Sequence, residues 1–190
     1  MPGTNLRHPE EHPEGVRLEG RNVPLRLEEA VSIEVSIHGN AWLAACPEAE
    51  MLVATAARAA LDRAAGPKGS APMILGVILT DDAEQRQLNR IYRGKDAPTN
   101  VLAFPQAETA SPADAPVLLG DVVLAFETVC REATEQKKPF ADHLSHLVVH
   151  GVLHLLGFDH EKAADAAAME AREIKILAGL GVPDPYRGIM

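Results

Sequence analysis

The stretch HGVLHLLGFDH, His150 to His160, constrains this chain more than any other. It sets histidines at offsets 0, 4 and 10, with Gly157 seven residues after the first. Residues four apart on a helix sit one turn above each other, so His150 and His154 project from one face. Two imidazoles on adjacent turns can hold one metal ion, and zinc accepts neutral histidine nitrogen. The next turn of the same row cannot give a third ligand, because a straight helix climbs about 5.4 Å per turn and the nitrogens diverge. The chain must therefore stop and fold back. Gly157, after the apolar Leu153, Leu155 and Leu156, can take the left-handed conformation that ends helices, and Phe158 can pack on the last turn. The reversal aims His160 at the same point. The spacing predicts one Zn²⁺ per chain on His150, His154 and His160, with a coordination position left for water. Such sites are catalytic more often than structural.

His146 and His143 precede His150 by four and seven residues on the same helical face. The straight-row argument disfavours them as ligands, and polar groups lining the approach are their expected role. The pattern also matches HExxHxxGxxH of zinc peptidases, except that Gly151 stands where the glutamate base belongs. An amide leaving group loses its proton donor without that carboxylate. A phosphodiester needs less help, and a metal plus an arginine suits the charge on its phosphoryl oxygens. Arg86, Arg90 and Arg93 form one stripe on a helix face away from Leu88 and Ile91. A solvated face would explain that stripe, but it ends at a Gly-Lys-Asp-x-Pro-Thr turn entering a strand, where binding residues tend to sit. Asp159 could orient a ligand histidine from behind, or be an ordinary turn residue. Glu170 and Glu173 are expected to face solvent or pair with Arg172 and Lys175.

The rest of the chain frames this site. Residues 1–29, with Pro2, Pro9, Pro13 and Pro24 among many charges, read as a mobile extension, and the prolines make a metal-binding helix at His8 and His12 improbable. The hydrolase domain is expected over 30–190. Alternation predicts a strand at Ser32–Ile37, and an Ala-rich helix runs from Pro47 towards Ala65, closed by Gly66-Pro67. A central strand follows at Ile74–Thr80. Thr80 or Asp81 caps the next helix, which Leu88, Ile91 and Tyr92 bury and Gly94 ends. Val101–Phe104 is a short strand, Gln106–Pro116 a loop, and Leu118–Phe126 a strand interrupted at Gly120-Asp121. Helices are expected at Glu127–Lys138, at Asp142–Leu156, apolar on nearly every side and so central, and at Glu161–Ala178, with Met169, Ile176 and Leu180 inward. The order predicts an α+β fold: a single zincin-like domain with a small mixed four-stranded sheet, about five helices and the metal-bearing helix at its centre.

Composition closes some doors. At 190 residues, 46% hydrophobic and 24% charged, the chain is neither disordered nor membrane-like. No apolar run approaches the ~20 residues of a membrane span, and the cytoplasm is the expected compartment. Cys46 and Cys130 stand alone and read as small buried residues. The net charge of −9 weighs against nucleic acid unless a local basic patch exists.

With HGVLHLLGFDH and YRGKDAPTNVLAFP both in view, the chain resembles the bacterial YbeY family of metal-dependent endoribonucleases. The similarity spans roughly Leu75 to Arg187 and includes LLGDVV, KKP before the metal helix, and DPY near the end. The resemblance implies a zinc-binding α+β hydrolase, specific for single strands, that matures ribosomal RNA at the small-subunit 3′ end and serves ribosome quality control. It implies His150, His154 and His160 as ligands, Arg93 as the arginine that matters, and ribosomal or GTPase proteins as partners beside RNA. Ala103 departs from the family's usual serine, and the N-terminal extension is longer than usual. Two rivals remain: a metallohydrolase of small phosphate or amide substrates, and a non-catalytic assembly factor stapled by zinc.

Overall fold

The strand at Val31–Ile37 alternates apolar and polar residues with period two, the other strands are near-continuous apolar runs, and together they build a floor for the histidine-bearing helix. The computed structural model describes residues 31–64, 72–106, 115–160 and 162–187. The sequence expectations for residues 1–29, for closure at Gly66-Pro67 and for most of the 106–116 loop fall outside them.

Four strands, β1 (Val31–Ile37), β2 (Met73–Thr80), β3 (Val101–Pro105) and β4 (Val117–Ala125), form one mixed sheet in the order β1-β2-β4-β3. The β1–β2 and β2–β4 pairs are parallel, and β3 runs antiparallel to β4. The register aligns Val35, Val77, Val122 and Ala103 across the sheet, and Ile37, Leu79, Leu124 and Val101 one step along. These rows face the core. The expected interruption at Gly120 is real: the β2–β4 register shifts there, and Gly120 takes φ +120° beside the Phe104 carbonyl, where a Cβ would collide.

Six helices complete the described chain: α1 (Ala41–Ala45), α2 (Ala49–Ala64), α3 (Asp82–Arg93), α4 (Phe126–Glu135), α5 (Phe140–Leu155) and α6 (Ala163–Ala178). Helix α5 touches α2, α4, α6, β3 and β4, and its Leu144, Val148, Val149, Val152 and Leu153 are fully buried. Its apolar faces are thus covered by helices and sheet, while His146, His150 and His154 lie on a partly exposed face. The short α1 was not anticipated. It is too short to show periodicity, and only Trp42 anchors it, fully buried, with its indole N–H donating 2.9 Å to the Thr80 carbonyl.

Helix α3 departs from expectation on its inner face. Asp81 caps it, accepting from the Glu84 amide at 2.8 Å, and Gly94 closes it at φ +67°. Ile91 and Tyr92, however, are exposed, and the buried residues are Gln85 and Asn89. These two polar side chains meet backbone rather than apolar surface. Gln85 Nε2 donates to the Val123 carbonyl at 3.1 Å, and Asn89 Nδ2 to the Ala97 carbonyl at 2.7 Å. The helix thus braces a strand and the turn that follows it. Cys46 and Cys130 are free and partly buried.

Candidate metal centre

Helix α5 ends as its sequence requires. Gly157 adopts φ +85°, its amide bonds the His154 carbonyl at 3.0 Å, and the Phe158 amide reaches back to Leu153 at 3.0 Å. This is the reversal that satisfies carbonyls left open at a helix end. Phe158 packs against the core, with the Arg172 guanidinium 4.6 Å above its ring. The turned chain brings His160 back to the two helical histidines.

The three imidazoles converge. Nitrogens of His150, His154 and His160 all lie within 4.8 Å of one another, and the Nε2 atoms of His150 and His154 are 3.0 Å apart. Donors about 2.05 Å from a tetrahedral ion would stand about 3.3 Å apart, so the donor set fits one cation. Burial and the nearby His150 and His160 push the His154 pKa below its ordinary value. That favours the neutral form, which is the form that ligates. The site lies at the surface: His160 is exposed and the other two are partly buried.

A second cluster, His146, His150 and Glu173, shares one histidine with the first. Glu173 does not face solvent, as its sequence position suggested; its side chain is fully buried. Glu173 Oε1 sits 2.7 Å from His150 Nδ1, Oε2 sits 3.3 Å from His146 Nε2, and Oε2 also accepts from the Tyr186 hydroxyl. Burial alone would raise the Glu173 pKa, but the hydrogen bonds from His146, His150 and Tyr186 hold it down at about 2. Burial and that carboxylate push the Tyr186 phenol upward. Sequence reasoning placed Glu173 at the surface and gave Tyr186 no role of its own. The available signal was that Glu173 falls four residues after Met169 and three before Ile176, inside the buried stripe of α6. A small cavity of about 220 Å³ lies against this cluster, lined by His150, His160, Glu170, Glu173 and Tyr186 among others.

The structure bears on three further sequence readings. Asp159 takes the second of its two expected roles. Its Oδ1 accepts from the His160 backbone amide at 2.7 Å, which is the ordinary turn role. His143 does not line the approach: it is 3% exposed, and its Nε2 meets Glu132 Oε2 at 2.9 Å, where Asn100 Nδ2 also bonds. Lastly, Gly151 does not face the histidines. A Cβ there would stand 2.5 Å from Val122 Cγ1 and 3.3 Å from Val101 Cγ2. The glutamate of the peptidase pattern has no room at this position, since α5 presses on the sheet through it. The absent carboxylate is thus a packing requirement before it is a clue to substrate.

Arg93 ends α3, exposed and without a hydrogen-bond or ion-pair partner among the described residues. The rest of the stripe is not equivalent to it. Arg86 forms a bidentate pair with Asp96, both bonds 2.8 Å, which ties the helix to the following turn. The Arg90 charge also bears on Asp96, whose pKa is lowered chiefly by the Arg86 hydrogen bond.

A mixed sheet backing one buried helix, with histidines converging at that helix's end, defines an α+β domain built around a cluster able to hold a metal ion. Comparison with known proteins gives this class its family. The family model described as endoribonuclease YbeY matches residues 45–181. The chain is similar to endoribonuclease YbeY of Bradyrhizobium sp. strain BTAi1, 51% identical over 156 residues, covering 80% of this chain and 90% of that one. It is also similar to the protein of the same description in Rhodopseudomonas palustris strain BisB18, 53% identical over 155 residues with 80% and 90% covered. A solution structure of a Thermotoga maritima protein aligns with a TM-score of 0.50 at 25% identity, covering 82% of this chain and 89% of that one. The chain belongs to the YbeY endoribonuclease family.

Proposed function

We propose that this chain is a single-strand-specific endoribonuclease that matures ribosomal RNA, at the small-subunit 3′ end, and serves ribosome quality control. The observation that carries the reading is the convergence of three imidazoles, from two helical turns and a glycine-ended reversal, at an exposed point. His150, His154 and His160 would hold one zinc ion. Zinc bound there supplies a polarised water and a positive charge for a phosphoryl oxygen.

The chain's own residues do the rest. His150 and His154 present nitrogen from a helix packed against α2, α4, α6 and the sheet, which restrains two of the three donors. Arg93 serves the phosphate, because a planar guanidinium donates two parallel hydrogen bonds to phosphoryl oxygens and no described carboxylate neutralises it. Arg86, paired with Asp96, instead fixes the turn beyond Arg93. A net charge of −9 limits free affinity for RNA. Ribosomal or GTPase proteins are therefore the partners expected to deliver the substrate, in the cytoplasm. Among the described residues no helix is long and apolar enough to cross a membrane.

The test is cleavage of a single-stranded ribosomal RNA fragment by purified protein, with metal removed and then restored as zinc. Metal-dependent cleavage lost in His154→Ala supports the reading. Unchanged rRNA maturation in cells producing only that variant would leave a non-catalytic assembly role instead.

A further inference from the structure

We propose that Glu173 and Tyr186 form a buried positioning relay, through which the C-terminal turn decides which nitrogen of His150 faces the metal. The inference rests on His150 being a ligand. An imidazole offers a metal one lone pair, on whichever ring nitrogen lacks the proton, and the hydrogen bond at the other nitrogen selects it. Glu173 Oε1, 2.7 Å from His150 Nδ1, is an acceptor and can only take a proton. The His150 proton is therefore held on Nδ1, and Nε2 is left as the lone pair. That Nε2 is the atom 3.0 Å from His154 Nε2.

Glu173 is itself held. A fully buried carboxylate needs partners to stay charged, and this one has three partners from two parts of the chain. His150 and His146 come from α5, and the Tyr186 hydroxyl comes from beyond α6. Tyr186 rests edge-on against His146, ring centroids 5.5 Å apart at 80°. Its turn is fastened twice, by the Tyr186 amide on Asp184 Oδ1 at 2.9 Å and by Lys138 Nζ on the Pro185 carbonyl at 2.5 Å. Lys138 lies two residues before α5, so the start of the histidine-bearing helix and the end of the described chain are joined across the relay. Among the described residues His146 Nδ1 has no hydrogen-bond partner, so Nε2 is the ring nitrogen that meets Glu173. Tyr186 and Glu173 act through His150.

The test uses the full chain loaded with cobalt(II), whose absorption reports ligand geometry, with chelator competition giving affinities for cobalt and zinc. Loss of a group behind a ligand histidine typically weakens metal binding about 10–100-fold. Glu173→Ala should fall in that range and alter the cobalt spectrum. Tyr186→Phe should fall at its low end, about 10-fold or less, with an altered spectrum. Glu173→Gln keeps an acceptor for His150 and should recover much of the affinity, which a merely structural defect would not do. Metal-free variants are checked by circular dichroism, and only folded ones are compared. Parental affinity and spectrum in both Glu173→Ala and Tyr186→Phe would overturn the relay. His150→Ala separates the two readings: if it binds metal as the parent does, the ligand assignment fails; if it loses metal while the relay variants do not, only the relay fails.

Discussion

Gly151 offers the sharpest test of how α5 is seated. Adding one methyl there sets a Cβ 2.5 Å from Val122 Cγ1, 3.1 Å from Val122 Cγ2 and 3.3 Å from Val101 Cγ2. Carbon atoms attract at about 3.5–4.0 Å, so roughly 1 Å must be recovered by movement. Val122 cannot swing aside cheaply, since it is fully buried and its branched side chain is stiff about χ1. Overpacking of this kind costs about 1–3 kcal/mol, and the rigid neighbour argues for the upper end. Replacing a helical glycine by alanine returns about 1 kcal/mol. The net expectation for Gly151→Ala is a loss of about 2 kcal/mol, or about 4–8 °C in Tm for a chain of this size. Val122→Ala alone should lose at least about 1.6 kcal/mol, for two methyl groups at about 0.8 each. In the double variant the new methyl enters the space that Val122 vacates, so the loss should be smaller than the sum by about 1–2 kcal/mol. Urea denaturation of the metal-free proteins measures all four corners. If Gly151→Ala is as stable as the parent, or if the two losses simply add, the close approach at Gly151 is not what seats the helix.

The remaining expectations follow from the site. Alanine at His150, His154 or His160 should remove most bound metal while His146→Ala keeps most of it, as elemental analysis of purified variants would read; equal loss at His146 and none at His160 would refute the geometry. In single-turnover cleavage of an rRNA fragment, Arg93→Lys should remain clearly impaired at low and physiological salt, whereas Arg86→Ala should act through the loosened turn and show a weaker salt dependence than a free cation would; parental cleavage by Arg93→Lys would return Arg93 to a solvated face. The folded-state pKa of His154 lies below its ordinary 6.5, so just below that pH the unfolded chain binds more protons and stability rises with pH. Metal-free protein should therefore lose stability as the pH falls below about 6.5, and His154→Ala should flatten that limb in a Tm-against-pH series; an unchanged slope would assign the limb to other groups.

Much of this protein was written locally. The order of the longer elements follows from period and punctuation, because Pro139, Gly94 and Gly157 start or stop helices by their own backbone preferences, although α4 ends at Glu135, short of the expected Lys138, where Lys137 takes φ 53°. The triad was legible for the same reason: offsets of 0 and 4 are helix geometry, and the return of His160 needs only a glycine. What the sequence could not give was direction. Leu88, Ile91 and Tyr92 promised an apolar inner face for α3, yet Gln85 and Asn89 turn inward because strand and turn carbonyls there need donors. Glu173 looked like a solvated charge until α6 packed on α5 and closed His146, His150 and Tyr186 around it. Arg86, Arg90 and Arg93 form one stripe by spacing, and only the folded turn, by bringing Asp96 back to Arg86, leaves Arg93 without a partner among the described residues. The sequence by itself determined which residues could ligate, through spacings that a single helix enforces. The tertiary structure decided that Glu173 meets His150 Nδ1 and that Arg86 meets Asp96, because those contacts depend on partners that only packing brings within hydrogen-bond reach.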